Sequence, residues 1–455
     1  MKKYWLTITL ILIILKSGFS QIPIAPPNPQ PDSRFKTDIL LIVAHPDDET
    51  AMGSYLAKAI YDLNKKVAII YLNRGVGGGN TAGNEQSKAM AAIREIEVRK
   101  ATATLGIDLI WFLDGVETPG QDVFHSLTNW GHGQNLEQVV RLVRLTRPEV
   151  IITWLPHYVA GENHGDHQAA GVLAVEAFDM AGNPTVFPAQ VVAPRERTDI
   201  NNFTEGLQPW QPKKLYFFSD ASHPIQADGP SFSVKEISPS QKVPYYQLAL
   251  KLHLLHLTQG DVAEVAVRAK QSGDYSEFVK WISQFKLIFG KSVVPCKSTD
   301  DVFEGIQPGS IPFVPVKGFL PQKRNGLALE LGGAFAFYLE FWKAHEIEHI
   351  GSIVEPEVMI NTGGYLHIPL LLRNDTSDSI KVKLRAEYPD GWSEVAGAAI
   401  YILAPGEAYP VQTFFFAPNE LRKEVQEIVW TATVKDTIVG SVKMNVYLSE
   451  WTLPQ

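Results

Sequence analysis

Asp47 and Asp48 stand side by side in Ala44-His45-Pro46-Asp47-Asp48-Glu49, and His164-Gly165-Asp166-His167 adds two imidazoles and another carboxylate. Imidazole and carboxylate together hold a hard-to-borderline divalent cation, zinc above all, and iron(II) could use the same ligands. A catalytic zinc takes three protein ligands and leaves one position for water. His45, Asp48 and His167 would supply two imidazoles and one carboxylate. Asp47 would then stay off the metal, where a free carboxylate can take a proton from an activated water. His164 remains, as an imidazolium, to steady an oxyanion or to protonate a leaving amine. Asp166 could orient one of the imidazoles. Blander readings exist for each residue alone: acids in a first helical turn, an N-cap at Asp166, solvated loop histidines. They do not explain why both clusters follow apolar strands.

Those strands must position the groups. Ile39-Leu40-Leu41-Ile42-Val43 is a continuous apolar run of the kind that forms a buried parallel strand. Ligands in open α/β sheets bind just outside the carboxyl ends of strands, where His45 begins. Pro46 biases His45 away from helical backbone, as suits a residue leaving a strand. Val150-Ile151-Ile152-Thr153-Trp154 is a second such run, and after a short loop His164 to His167 opens a helix reaching about Met180. Between and beyond them strand and helix alternate. Strands are expected at Val67 to Leu72, Leu109 to Leu113 and Leu215 to Phe218, and helices at Asp48 to Leu63, Glu85 to Leu105 and Leu136 to Leu145. The expected fold is α/β: a Rossmann-like, doubly wound, mostly parallel sheet over residues 37–225.

Residues 226–350 read as a helical and irregular extension without strands, with helices near Val243 to Leu257 and Ala334 to His349. From 351 to 455 the period becomes two: Ile380, Val382 and Leu384 alternate with Lys381, Lys383 and Arg385. That pattern predicts an antiparallel β-sandwich. At the other end, Lys2 and Lys3, the apolar stretch Tyr4 to Leu15 and Gly18-Phe19-Ser20 read as a signal peptide over 1–20, followed by a Pro-rich linker over 21–36. The stretch is too short to span a bilayer, so a periplasmic or secreted protein with no lasting membrane span is expected.

Composition narrows the partners. The chain has 455 residues, 45% apolar and 20% charged, with a formal charge of −8 and no basic run. Nucleic acid is disfavoured, because phosphate recognition needs a clustered basic footprint. Cys296 is the single cysteine, so no intrachain disulfide can form.

At its two clusters the sequence resembles the PIG-L/LmbE-type de-N-acetylase family. The resemblance spans about residues 37 to 260. It implies one zinc on His45, Asp48 and His167, Asp47 as general base and His164 as electrophilic helper. The implied reaction is hydrolysis of an N-acetyl group, typically from an N-acetylglucosamine unit of a glycoconjugate. Arg94-Glu95-Ile96-Glu97 looks like the family's Arg-x-x-Glu helix and makes Arg94 a candidate for substrate hydroxyls; a surface salt bridge between Arg94 and Glu97 is the competing reading. Asp114-Gly115 resembles another family element near the sugar, and His256-Leu257-Thr258-Gln259 a late motif. Trp130, His132 and Tyr158 could shape a sugar site with their rings.

Another metal-dependent amidase on the same ligands is one competing reading, and two more come from elsewhere. His345-Glu346-Ile347-Glu348-His349 satisfies the zinc-protease pattern H-E-x-x-H, which on a helix puts both histidines on one face. A glycan-binding surface protein with a structural metal is the other, although a structural site needs no spare base at Asp47. Gly75-Val76-Gly77-Gly78-Gly79 lacks dinucleotide spacing and reads as a mobile loop over the site.

Overall fold

The apolar runs assemble into one sheet. β1 (Ile39–Val43), β2 (Val67–Asn73), β3 (Leu109–Gly115), β4 (Val150–Trp154) and β5 (Lys214–Phe218) pair in parallel, and β6 (Ile288–Ser292) closes the row antiparallel to β5. The strand order is β3-β2-β1-β4-β5-β6. The computed structural model describes residues 31–159, 164–192, 204–316 and 325–450. The expected signal peptide and all but the end of the expected linker lie outside them. Among the described residues no helix is long and apolar enough to cross a membrane.

Helices α1 (Glu49–Tyr61), α2 (Ser87–Ala103), α3 (Val123–Trp130), α4 (His132–Thr146) and α5 (Gly165–Met180) connect and cover the parallel strands. β1 and β4 are buried along their whole length, which is why neither alternates in polarity. The chain winds outward from β1 to β3, then returns to the other flank of β1 for β4. The order therefore reverses between β1 and β4, and a crevice opens at their carboxyl ends. Gly171 lets α5 lie against the carbonyl of Trp154, where any Cβ would collide. That close approach fixes His167 beside the end of β4.

The expectation that strands stop after 225 is not met. β6 joins the main sheet, and β7 (Leu327–Leu331) pairs with β9 (Tyr365–Asn374) in a second one. Around them lie α6 (Tyr245–His253), α7 (Gly260–Ser272), α8 (Ser276–Ile282) and α9 (Gly333–Ala344). β8 (Glu357–Asn361), β10 (Ile380–Glu387), β11 (Ser393–Ala396), β12 (Ile400–Leu403), β13 (Ala408–Phe416), β14 (Gln426–Val434) and β15 (Thr437–Ser449) complete two further sheets, ordered β12-β10-β14-β15-β8 and β11-β13-β9-β7. The sheets share one apolar core: Leu366, Ile368, Leu370 and Leu372 from one meet Val382, Ile428, Trp430 and Met444 from the other. Pairing is antiparallel except that β8 runs parallel to β15. That exception arises because β8 enters straight from the 3-10 turn Glu348–Ser352 onto the free flank of β15. The region from 351 onward is thus not purely antiparallel, and it borrows β7 from before residue 351.

Two fully buried histidines make the fold acid-sensitive. Burial pulls His157, stacked on Trp342 at 4.7 Å, and His253, packed by Phe278, down to about 4. Unfolded, each titrates near ~6.5. Between the two values the unfolded chain binds more protons, so this contribution is whole above ~6.5 and is lost as pH falls towards 4, by up to ~1.4 kcal/mol per pH unit per ring. Urea midpoints measured from pH 7 to 5 should fall, and fall less steeply in His253→Phe. Equal slopes in the two proteins would remove His253 as a contributor.

Candidate metal centre and active site

β1 delivers His45, and the turn that follows delivers Asp47 and Asp48 to the start of α1; the start of α5 brings His167 across the crevice. His45 Nδ1 faces His167 Nε2 at 3.1 Å. Asp48 Oδ1 lies 3.3 Å from His167 Nε2 and 3.8 Å from His45 Nδ1. Three donor atoms thus form a triangle with edges of 3.1 to 3.8 Å. Ligands ~2.0–2.1 Å from a tetrahedral zinc stand roughly 3.3 Å apart, so these donors fit that ion. The other oxygen of Asp48, Oδ2, accepts from the backbone N–H of Ala44 and His45 (both 2.9 Å) and from Trp154 Nε1 (2.7 Å). Those three donors aim Oδ1 at the imidazoles. Trp154 also stacks on His167, centroids 3.9 Å apart and planes 7° off parallel.

The far nitrogens of both rings meet acids, as metal-bound histidines require. His45 Nε2 points to Asp166 Oδ2 at 3.4 Å and His167 Nδ1 to Asp220 Oδ2 at 3.7 Å. Burial opposes charge on the His45 ring, but Asp166 and Asp48 hold it well above its ordinary value; Asp48 in turn is held well below the carboxylate range by His167 and His45 against the effect of burial. Asp47, Asp48, Glu117, Asp166 and Asp220 gather around these rings, a surplus of negative charge that suits a dication.

Asp47 lines the same cleft as Asp48 and His167. Its backbone has φ +122°, outside the ordinary regions for a side-chain-bearing residue, at a cost of about 1–3 kcal/mol. Its N–H donates to Glu49 Oε2 at 3.1 Å. Burial, then the charge of Asp48, pushes the Asp47 carboxyl up to about 8. A cation held next to it acts in the opposite direction.

His164 N-caps α5, and its ring centroid lies 4.3 Å from that of His167 and 4.9 Å from that of His45. Nitrogens of the three histidines fall within 4.8 Å of one another. Burial and then the neighbouring His167 and His45 push its pKa far down, so an imidazolium is disfavoured, contrary to the expectation. The N–H of Asp166 meets Nδ1 at 3.3 Å, which leaves Nε2–H as the donor of a neutral ring.

The remaining assignments divide. Arg94 lines the cleft, and Nη1 and Nη2 donate to the carbonyls of Gly75 and Gly79 at 2.9 Å. The glycine loop therefore wraps the guanidinium: Gly75 has φ +66°, and a Cβ there would stand 2.5 Å from Nη1. Arg94 and Glu97 are buried and do not pair on the surface; Glu97 accepts from Thr258 N–H and Oγ1. Asp114 does not reach the cleft: its side chain is 92% exposed and pairs with Arg74 at 3.2 Å. Trp130 is buried with its Nε1 on Val116 O, His132 pairs with Glu176, and Tyr158 packs on Phe335 and Tyr338, so none of them shapes the site. The late motif closes the floor: His256 Nε2 meets Glu49 Oε1 at 2.7 Å, both fully buried, and Gln259 donates to Pro46 O.

The H-E-x-x-H stretch loses its geometry. α9 ends at Ala344, and Glu346 turns left-handed at φ +58°. His345 Nδ1 binds Asp179 at 2.7 Å and His349 Nε2 faces Phe289 O at 3.0 Å. The histidines share no helical face, which overturns the metalloprotease alternative.

Glu117, Asp220 and Trp154 were missed as site residues. Each lies at, or a few residues beyond, the carboxyl end of β3, β5 or β4, the rule that found His45. Met359 of β8 also lines the cleft; Gln121 Oε1 holds its N–H at 3.1 Å, and His223 clamps the buried Glu357 of that strand at 2.7 Å.

The chain thus carries a doubly wound α/β sheet with a two-histidine, one-carboxylate cluster, a candidate metal site, at its switch point. The model of the PIG-L family, GlcNAc-PI de-N-acetylase, matches residues 40–178. The chain is 27% identical over 187 residues to 1D-myo-inositol 2-acetamido-2-deoxy-alpha-D-glucopyranoside deacetylase 1 of Catenulispora acidiphila, covering 36% of this chain and 54% of the relative. It is 28% identical over 160 residues to the diacetylchitobiose deacetylase of Thermococcus kodakarensis, covering 34% and 54%. The chain spans about half the length of these curated relatives. A solved structure of N,N'-diacetylchitobiose deacetylase from Pyrococcus horikoshii aligns at 19% identity over 55% of this chain and 84% of that one, with a TM-score of 0.37.

Proposed function

We propose that the protein is an exported, zinc-dependent hydrolase that removes N-acetyl groups from N-acetylglucosamine-containing glycoconjugates. The observation that carries this is the triangle of His45 Nδ1, Asp48 Oδ1 and His167 Nε2 with Asp47 in the same cleft. The deacetylase names of the relatives support the substrate class, and the apolar segment Tyr4 to Leu15 supports export.

His45, Asp48 and His167 would hold the ion, which when bound supplies Lewis acidity towards water and the amide carbonyl. Asp47 takes the proton of the attacking water as its oxygen bonds to the acetamide carbon. His164 Nε2–H donates to the oxygen that becomes negative. The proton held by Asp47 passes to the amine nitrogen as the C–N bond breaks, leaving acetate and a free amino sugar. Asp166 and Asp220 face the far nitrogens of the two imidazoles meanwhile.

Acetate release from a panel of N-acetylglucosamine-containing glycans, measured with zinc-loaded protein, tests this. Release with a matching rise in free amine is expected. Metal-loaded protein that binds the glycans without releasing acetate would favour a binding protein instead.

A further inference from the structure

The cleft does not end at the metal ligands. It measures about 1930 Å³ and continues past α8 into a second chamber of about 890 Å³. Ala51, Ala221, Trp281 and Phe285 line both, and so do the polar residues Ser222, Glu277 and Gln284. An acetamide group at the triad needs little of this space, and 890 Å³ falls in the ~300–1,000 Å³ range of whole-ligand sites. Trp281 and Phe285 stand at the junction, half-buried, with rings 6.2 Å apart and 73° between their planes. Deeper in, Tyr55 meets Phe232 edge-on at 5.5 Å. Lys280 and Lys286 of this chamber lie exposed, and Glu277, which lines both spaces, is exposed and paired with Arg268 at 3.0 Å. On the other side, the acids around the metal centre repel an anionic chain.

We propose that Trp281 and Phe285 form a stacking platform for the sugar ring next to the acetamide-bearing one, and that the second chamber receives that ring. The substrate is then a neutral oligosaccharide rather than a lone amino sugar. Aromatic faces matched to an apolar ring face, beside a carboxylate that is already paired with Arg268, are the chemistry such a ring requires. The platform comes from residues 276–288, outside the stretch that matches the family model. The inference rests on the de-N-acetylase reading for the ring at the triad, but its own test is binding.

In the full-length, zinc-loaded protein carrying Asp47→Asn to prevent turnover, calorimetry with N-acetylglucosamine and its β-1,4-linked tetramer reads the platform directly. Trp281→Ala is expected to weaken tetramer binding about tenfold and monosaccharide binding at most about twofold, with Trp281→Phe recovering most of the loss. Phe285→Ala guards against a folding defect peculiar to the tryptophan site. Equal weakening for both ligands, no weakening, or no tetramer binding to the parent protein overturns the platform. Preserved tetramer selectivity together with absent acetate release by the Asp47 protein would leave the platform standing and sink the de-N-acetylase reading alone.

Discussion

Asp47→Asn is expected to keep its metal and lose on the order of 10²–10⁴ in kcat. Asparagine has the same shape, so the strained turn at φ +122° and its contact to Glu49 survive. Only the ability to accept a proton goes. Because the backbone strain is already present, the substitution should not lower stability. It also removes a carboxyl that burial and Asp48 push up to about 8, so stability should hold or rise. Acetate release and metal content by plasma mass spectrometry, measured on the same sample, settle the role. Full activity in the variant would pass the base role to Glu117, whose Oε1 lies 3.7 Å from His45 Nε2.

Asp48→Asn should fold and lose the metal. Three donors, Ala44 N, His45 N and Trp154 Nε1, converge on Oδ2 and need an oxygen there. An amide oriented to satisfy them turns its NH2 towards His45 and His167, where a cation should sit. Charge stabilisation of several kcal/mol leaves with the ion, so kcat should drop by a factor on the order of 10³. A thermal readout separates binding from catalysis. Zinc at 100 times its dissociation constant should stabilise the parent chain by about 2.7 kcal/mol and leave the variant unmoved. Parent protein treated with chelator should melt like the untreated parent without zinc. Undiminished zinc binding by the variant would move the metal to the three histidines His45, His164 and His167 instead.

Much of the framework was legible because burial on both faces forces continuous apolar runs. β1 and β4 are such runs, and the carboxyl-end rule then leads from them to His45, Asp48 and His167. The resemblance placed Asp114 near the sugar, and the structure turns it away for a physical reason. β2 and β3 lose register between Tyr71 and Asn73, so the end of β3 turns Asp114 out to Arg74, and Glu117 faces the centre in its place. The conformation of Asp47 leaves no trace in residue types, since nothing marks an aspartate for positive φ. Trp281 sits on a helix of two turns, too short to show a period, whereas Trp130 and Tyr158 drew attention as aromatics and are packed inside. β7 is five residues long and finds its partner only through β9, a pairing no local pattern announces.

Met359 has a consequence for how the molecule matures. It lies on β8, whose partner β15 spans Thr437–Ser449, so this wall of the cleft is held by residues made long after the metal ligands. Domains fold as units, the earliest-made first. The nascent α/β domain can gather His45, Asp48 and His167 while β15 is still unmade. This wall of the cleft should therefore be the last part of it to form, after the ligands have come together.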